Sequence, residues 1–161
     1  MSTMERIAVF PGSFDPITVG HESVVLRALP MFDRVVVAVG RNAAKRTMFT
    51  ESQRVDMIER VFAQHGAVEV MAYEGLTVEL CRSLGARFIL RGLRTSADFE
   101  FERAIAQVNK AMYPEIETLS LLTLPEHTPI SSSIIRDILL HHGDPSAFLP
   151  QRLDITQYPF R

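Results

Sequence analysis

Arg34-Val35-Val36-Val37-Ala38-Val39-Gly40 (RVVVAVG) is the stretch that decides the fold class. Its apolar residues follow one another without polar alternation, which suits a strand covered on both faces, as in a parallel sheet. Working outward, Arg6–Phe10 (RIAVF), closed by Pro11-Gly12, is a shorter run of the same kind. Val68–Tyr73, Arg87–Leu90 (RFIL) and Leu119–Leu124 read as three more. Between these runs the spacing turns helical. Glu22–Met31 predicts the first helix. The second has a marked start, because Thr50 and Gln53 form a T-x-x-Q capping box ahead of Val55, Ile58, Val61 and Phe62 on one face. Thr77–Leu84 is a third, capped by Gly85; Ser96–Met112 is the longest and stops before Pro114; Ser131–His142 follows the last strand. Strand and helix alternate throughout. That order predicts an α/β fold, a single-domain, doubly wound, five-stranded parallel sheet of Rossmann-like type over residues 1–161.

Composition narrows the function classes. Hydrophobic residues make up 47% and charged residues 22% of the 161 residues, the balance of a folded domain with its own core. A net charge of −2 argues against broad nucleic-acid binding, which needs clustered Lys and Arg. Cys81 is the single cysteine and lies in the apolar stretch Leu76–Leu84, so a buried, inert thiol is expected and no disulfide framework exists. None of the five histidines has metal-ligand spacing to another His or Cys. His141 and His142, just before Gly143, fit a helix C-terminus. The early Glu5-Arg6 pair does not read as a signal peptide, and no apolar run approaches the ~20 residues of a membrane span. A cytoplasmic location is the resulting expectation.

The unusual polar segments nearly all follow strands. Pro11-Gly12-Ser13-Phe14-Asp15-Pro16-Ile17-Thr18-Val19-Gly20-His21 follows the first, Arg41–Met48 with Lys45 and Arg46 the second, Arg91-Gly92-Leu93-Arg94 the fourth, and Ser131-Ser132-Ser133 the fifth. In a doubly wound sheet ligands collect at the carboxyl ends of strands. Cations, hydroxyls and a helix N-terminus gathered there suit an anion with several phosphates. Each piece has a plainer explanation. Pro-Gly-Ser and Asp-Pro are ordinary turn chemistry; Gly20 allows close packing at a helix start; Arg91 and Arg94 can pair with Asp98, Glu100 or Glu102; triple serine is a serviceable N-cap. Their convergence on one sheet edge is what those explanations leave out. The chain has no G-x-x-x-x-G-K-[ST] loop, no G-x-G-x-x-G fingerprint and no G-x-S-x-G elbow.

PGSFDPITVGH at 11–21, Lys45, RGLR at 91–94, Glu102 and ISSSIIR at 130–136 resemble, in order and at family-like spacing, the phosphopantetheine adenylyltransferases of bacterial coenzyme A synthesis. The T-x-G-H signature alone marks a wider nucleotidyltransferase superfamily. The resemblance covers nearly the whole chain. It implies a nucleotidyltransferase-type fold and reversible transfer of AMP from ATP to 4′-phosphopantetheine, with Mg²⁺ as cofactor, a homohexameric assembly and feedback binding of coenzyme A. It further implies that Ser13 and Phe14 meet ATP, Ser13 also reaching the acceptor phosphate, and that His21 stabilises the transition state at the α-phosphate. Lys45 and Arg91 would hold the acceptor phosphate, and Thr77 would touch the pantetheine arm. Gly92, Leu93, Arg94 and Glu102 match ATP-binding positions, and His127, Thr128, Pro129, Ile130, Ser131, Ser132 and Ser133 match the stretch along adenine and triphosphate. Glu102 equally reads as an ion-pair partner for an arginine. Ser13 stands where Thr is common, Phe10 where Tyr is frequent, and the tail after Leu149 lacks the longer terminal helix of many relatives.

The absence of a catalytic carboxylate pair or Ser-His-Asp set agrees with that chemistry. A phosphate monoester is already an anionic nucleophile, so the protein has to bring two repelling anions into line and neutralise charge at phosphorus. A metal held by phosphates and water needs no protein cage, so no metal-ligating side chains are expected. Two other readings remain open on sequence. A sister enzyme acting on nicotinate mononucleotide or a cytidylyl acceptor would ordinarily carry a second histidine where Thr18 stands, and a non-catalytic nucleotide sensor would release no pyrophosphate.

Overall fold

The computed structural model describes residues 4–160, so both ends of the 1–161 span lie outside it. Five strands, β1 (Ile7–Gly12), β2 (Arg34–Gly40), β3 (Val68–Tyr73), β4 (Phe88–Leu93) and β5 (Glu117–Leu122), form one sheet. Every pairing is parallel, in the order β3-β2-β1-β4-β5. The connecting helices are α1 (Val19–Ala28), α2 (Glu51–Val61), α3 (Thr77–Leu84) and α4 (Ser96–Met112), with α5 (Ser132–Leu140) after β5.

Both faces of β2 are covered, as its unbroken apolar run requires. Val35, Val37 and Val39 point into one layer with Val25 of α1, Met57 and Ile58 of α2 and Ile135 of α5. Val36 and Ala38 point into the other with Val78 and Cys81 of α3. Burial pushes the Cys81 thiol up to about 12, so it is the inert thiol the sequence suggests. The segment after α5 also enters the first layer, with Leu149, Leu153, Ile155 and Tyr158 buried there. It is tied to α2 by Tyr158 Oη donating to Asp56 at 2.5 Å and by Gln53 Nε2 donating to the Pro159 carbonyl at 2.8 Å.

β2, β3, α3 and α4 keep the bounds read from sequence, and the Thr50–Gln53 capping box forms in both directions. Other boundaries move, β4 among them, which runs Phe88–Leu93 rather than Arg87–Leu90. β1 runs on through Pro11 and Gly12 because, past Val9, it pairs only with β2. The Pro11 carbonyl faces Arg91 on the β4 side, where the missing N–H therefore costs no ladder bond. α1 starts at Val19 rather than Glu22, since Thr18 caps it with His21, not Glu or Gln, in the reciprocal position. β5 lies two residues earlier than expected, paired from Glu117 to Leu122, and only part of its apolar run is buried. α5 ends at Leu140 in a Schellman turn, with His142 left-handed (φ 59°) and Gly143 N–H donating to the Ile138 carbonyl at 2.8 Å. A Cβ on Gly143 would come within 2.8 Å of Ile138 Cγ2, which places the glycine one residue beyond the left-handed one.

Candidate active site

β1 and β4 pair only through Ala8 and Val9, and beyond these residues the two strands part. This is the point where strand order reverses, and the crevice opens at the carboxyl ends of the strands. Two cavities occupy it. A cleft of about 600 Å³ is lined from β2 onward by Arg41, Lys45, Tyr73 and Thr77 and closed by Ile105 and Asn109 of α4. A second of about 350 Å³ is walled by Phe10, His21, Gly92, Arg94, His127 and the serines 131–133. Ser13, Lys45, Arg91 and Glu102 line both. Two ligands would meet end to end at that junction.

His21 is fixed by its own helix start. Its Nδ1 accepts from the Thr18 backbone N–H at 3.0 Å, so in the neutral ring the proton sits on Nε2. His21 lines the second cavity, and its Nε2 is left to donate. Burial, then Arg94 and Arg91, push the His21 pKa down to about 4. At neutral pH the ring is an uncharged donor. Because this value lies below the ordinary 6.5 of an unfolded chain, the unfolded state takes up a proton first. The associated stability is intact above pH ~6.5 and is lost as pH falls towards 4. In ligand-free protein, ¹⁵N spectra of the ring should show the Nε2–H tautomer unchanged from pH 8 to about 5; a titration near 6.5 would contradict the assignment.

Phe14 braces the histidine. It sits in the left-handed region at φ 46°, a strained conformation for a bulky residue, and its ring meets His21 edge-on with centroids 5.1 Å apart. The residue is 3% exposed and borders the second cavity. Gly12 makes the room, for a Cβ there would lie 3.0 Å from the Phe14 ring. Gly12→Ala should cost about 1–3 kcal/mol of stability by overpacking, measurable by denaturant unfolding. Gly20 is different. A Cβ there would make only ordinary contacts, 3.5 Å to Thr18 Oγ1 and 3.7 Å to His127 Cβ, so packing does not demand glycine. Its place in the second cavity supplies the reason, because a side chain would fill that space.

The cations are not equivalent. Arg91 forms a two-pronged pair with Glu102 (Nε–Oε2 2.7 Å, Nη2–Oε1 2.5 Å), and its Nη1 donates to the Pro11 carbonyl at 2.8 Å. Three of the five guanidinium protons are thereby used, leaving two for a ligand. Glu102 thus realises the ion-pair reading of its role. Arg94 binds Asp98 and reaches the Ile130 carbonyl at 3.4 Å, and Arg41 is shared by Glu51 and Glu74. Lys45, exposed on its loop, has no carboxylate partner among the described residues.

The serines divide their work. Ser131 Oγ caps α5 by accepting from the Ile134 N–H, Ser132 Oγ donates to the Pro16 carbonyl at 2.8 Å, and Ser133 Oγ accepts from Arg136. The amides of Ser132 and Ser133, first in the helix, have no helical acceptor and point a positive helix end at the second cavity. His127 and Ile130 line that cavity, and the buried His127 Nδ1 lacks a hydrogen-bond partner among the described residues. Thr128 and Pro129 line neither cavity, and Leu93 lies instead in a shallow depression between α4 and β5. Thr77 is in the first cavity, its Oγ1 2.8 Å from Tyr73 Oη. Sequence reasoning passed over Tyr73, although it ends β3 and the strand-end rule would have found it. Asn109, in the middle of α4, carries no such signal.

Among the described residues no three His, Cys, Asp or Glu side chains converge as a metal cage. The carboxylates nearest the junction are already engaged, Asp98 by Arg94 and Glu102 by Arg91. That donor set fits a divalent ion carried on substrate phosphates, the usual arrangement for ATP-dependent nucleotidyl transfer. No helix among the described residues is long and apolar enough to cross a membrane.

Comparison with known proteins places the chain in a family. Residues 9–138 match the family described as Cytidylyltransferase-like. A phosphopantetheine adenylyltransferase of Flavobacterium psychrophilum is 48% identical over 150 residues, covering 93% of this chain and 99% of its own. The one from Gloeobacter violaceus is 47% identical, over 92% of both chains. Among solved structures, an assigned nicotinate-nucleotide adenylyltransferase from Vibrio parahaemolyticus superposes with a TM-score of 0.66 at 19% identity, covering 91% of this chain and 88% of that one. A bifunctional NMN adenylyltransferase/ADP-ribose pyrophosphatase from Francisella tularensis gives 0.68 at 16% identity, this chain spanning 47% of it. At such identities these two speak for the fold alone. Identity of nearly half along almost the full length, on a sheet whose switch point holds the signature loops, makes this chain a member of the phosphopantetheine adenylyltransferase family.

Proposed function

We propose that this protein transfers the adenylyl group of ATP to 4′-phosphopantetheine, giving dephospho-coenzyme A and pyrophosphate, with residues 1–161 working as one domain. The observation that carries the reading is the meeting of two cavities at Ser13, Lys45 and Arg91, with His21 lining the second. ATP occupies the second cavity and the pantetheine arm the first, along Thr77. Lys45 and the free edge of Arg91 hold the acceptor phosphate against its repulsion from the triphosphate. Its oxygen attacks the α-phosphorus in line as the bond to the β-phosphate oxygen breaks. His21 donates to the α-phosphate oxygens as charge grows there. Pyrophosphate leaves onto Arg94 and the Ser132 and Ser133 amides. A bound Mg²⁺ would be held mostly by substrate phosphates and water rather than by side chains of this chain, and would neutralise part of that charge.

One phosphoanhydride is broken and another made, so the reaction runs in both directions. Dephospho-coenzyme A, Mg²⁺ and pyrophosphate should yield ATP in a luciferase-coupled assay, and no ATP at any pyrophosphate concentration would overturn the proposal. Coenzyme A carries both the pantetheine arm and an adenylate, and fits the same two cavities as a competing feedback ligand. A cytoplasmic site of action follows from the same substrates.

The assembly proposed is a homohexamer. α4 has no buried residue along its length, and Phe99, Phe101, Val108 and Met112 are exposed on it. The neighbouring edge strand β5 exposes Leu119 and Leu122. A second copy of the chain covers this surface in the hexamer reading. Val108→Asp should shift the protein to smaller species in sedimentation velocity, and an unchanged sedimentation coefficient would count against this interface.

A further inference from the structure

Asp15 is 3% exposed and, although it borders the second cavity, belongs to none of the ligand contacts proposed above. Its two carboxylate oxygens accept from another segment's backbone, with the Arg136 guanidinium 3.8 Å from Oδ2. Oδ2 accepts from the Met48 N–H and Oδ1 from the Phe49 N–H, both at 2.9 Å. Those amides end the loop that carries Lys45. The peptide around Asp15 is also held from the α5 side, with Arg136 Nη1 donating to the Asp15 carbonyl at 2.8 Å and Ser132 Oγ to the Pro16 carbonyl. Two residues upstream, Arg54 Nη1 donates to the Ser13 carbonyl at 2.5 Å. One carboxylate therefore joins the loop of Ser13 to the loop of Lys45, the two that meet at the junction of the cavities.

The other end of the Lys45 loop is fixed separately. The Arg41 N–H donates to the Tyr73 carbonyl at 2.7 Å, and the Arg41 side chain grips Glu51. Between the two anchors, Asn42 to Arg46 is exposed and turns on itself, with the Lys45 N–H donating to the Asn42 carbonyl at 3.1 Å. Lysine has a long, flexible stem and no partner to fix it here, so where its ammonium falls depends on where its backbone is held. Here each of the two adjacent buried N–H groups has its own carboxylate oxygen. An asparagine would set an NH₂ against one of them.

We infer that Asp15 is a positioning residue for the acceptor phosphate, acting through Lys45 by clamping the Met48 and Phe49 amides. The inference rests on the proposed role of Lys45. Its test is a cycle of Asp15→Asn, Lys45→Ala and the double variant, each assayed for the KM of both substrates. Asp15→Asn should raise the acceptor KM about tenfold, the worth of a strong hydrogen bond, while the ATP KM stays within about twofold. Added to Lys45→Ala, it should raise the acceptor KM no further. Additive effects, or acceptor and ATP KM rising together, would overturn the proposal. Lys45→Ala with an unchanged acceptor KM would overturn the role of Lys45 itself, and is read from that single variant. If Asp15→Asn does not fold, Thr47→Gly keeps both Asp15 bonds, removes only the Thr47 Oγ1 donation to the Phe49 carbonyl, and loosens the short tether to Lys45. The same rise in acceptor KM is then expected, and its absence overturns the inference.

Discussion

Replacing His21 with alanine should lower kcat by about two to three powers of ten and leave the acceptor KM nearly unchanged, as for a lost donor to developing charge. The direction follows from how the ring is held. Thr18 N–H occupies Nδ1, and the depressed pKa keeps the ring neutral, so the single remaining proton is on Nε2 of a ring that lines the second cavity. A neutral donor adds little to ground-state binding of an anion and more as the α-phosphate oxygens gain charge. His21→Asn, which keeps a donor at shorter reach, should recover part of the loss. Steady-state kinetics decide it, and a His21→Ala protein with near-normal kcat would remove the histidine from the mechanism.

Arg91→Ala should do two separable things. It should raise the acceptor KM about thirtyfold, ~2 kcal/mol, the scale of a lost charge-assisted bond to phosphate. It should also destabilise the fold by about 1–3 kcal/mol, because the Glu102 side chain, 12% exposed, loses its charge partner. The double variant Arg91→Ala/Glu102→Gln should regain much of the stability in urea unfolding and none of the affinity. Arg91→Lys should fall between, since one ammonium cannot grip Glu102 with two prongs and face a phosphate as well. Stability unchanged in Arg91→Ala would mean that the pair is not structurally important.

What the sequence made legible follows the strength of local signals. The unbroken valines of β2 and the reciprocal Thr50–Gln53 cap depend on neighbours a few residues away, and both stand as read. Where tertiary context intervenes, the reading slips. Pro11 looks like a strand terminator until β4 is seen to diverge beside it. The α1 start was missed because its capping partner is a histidine, whose ring also serves the site. At the candidate site, the strand-end rule gathered Ser13, Lys45, Arg91, Arg94 and the serine run. It could not reveal which arginine Glu102 binds, that the Phe14 ring packs edge-on against His21, or that Asp15 holds a loop more than thirty residues away. Those facts depend on side chains meeting across the sheet edge, and no spacing within one segment encodes them.

The most direct test of the central claim is pyrophosphate release by the purified protein with Mg²⁺ and ATP, offered either 4′-phosphopantetheine or nicotinate mononucleotide. The account predicts release with 4′-phosphopantetheine, with dephospho-coenzyme A formed in equal amount, and none above background with the mononucleotide. Release with the mononucleotide alone, or silence with both from folded protein that still binds ATP, would contradict it.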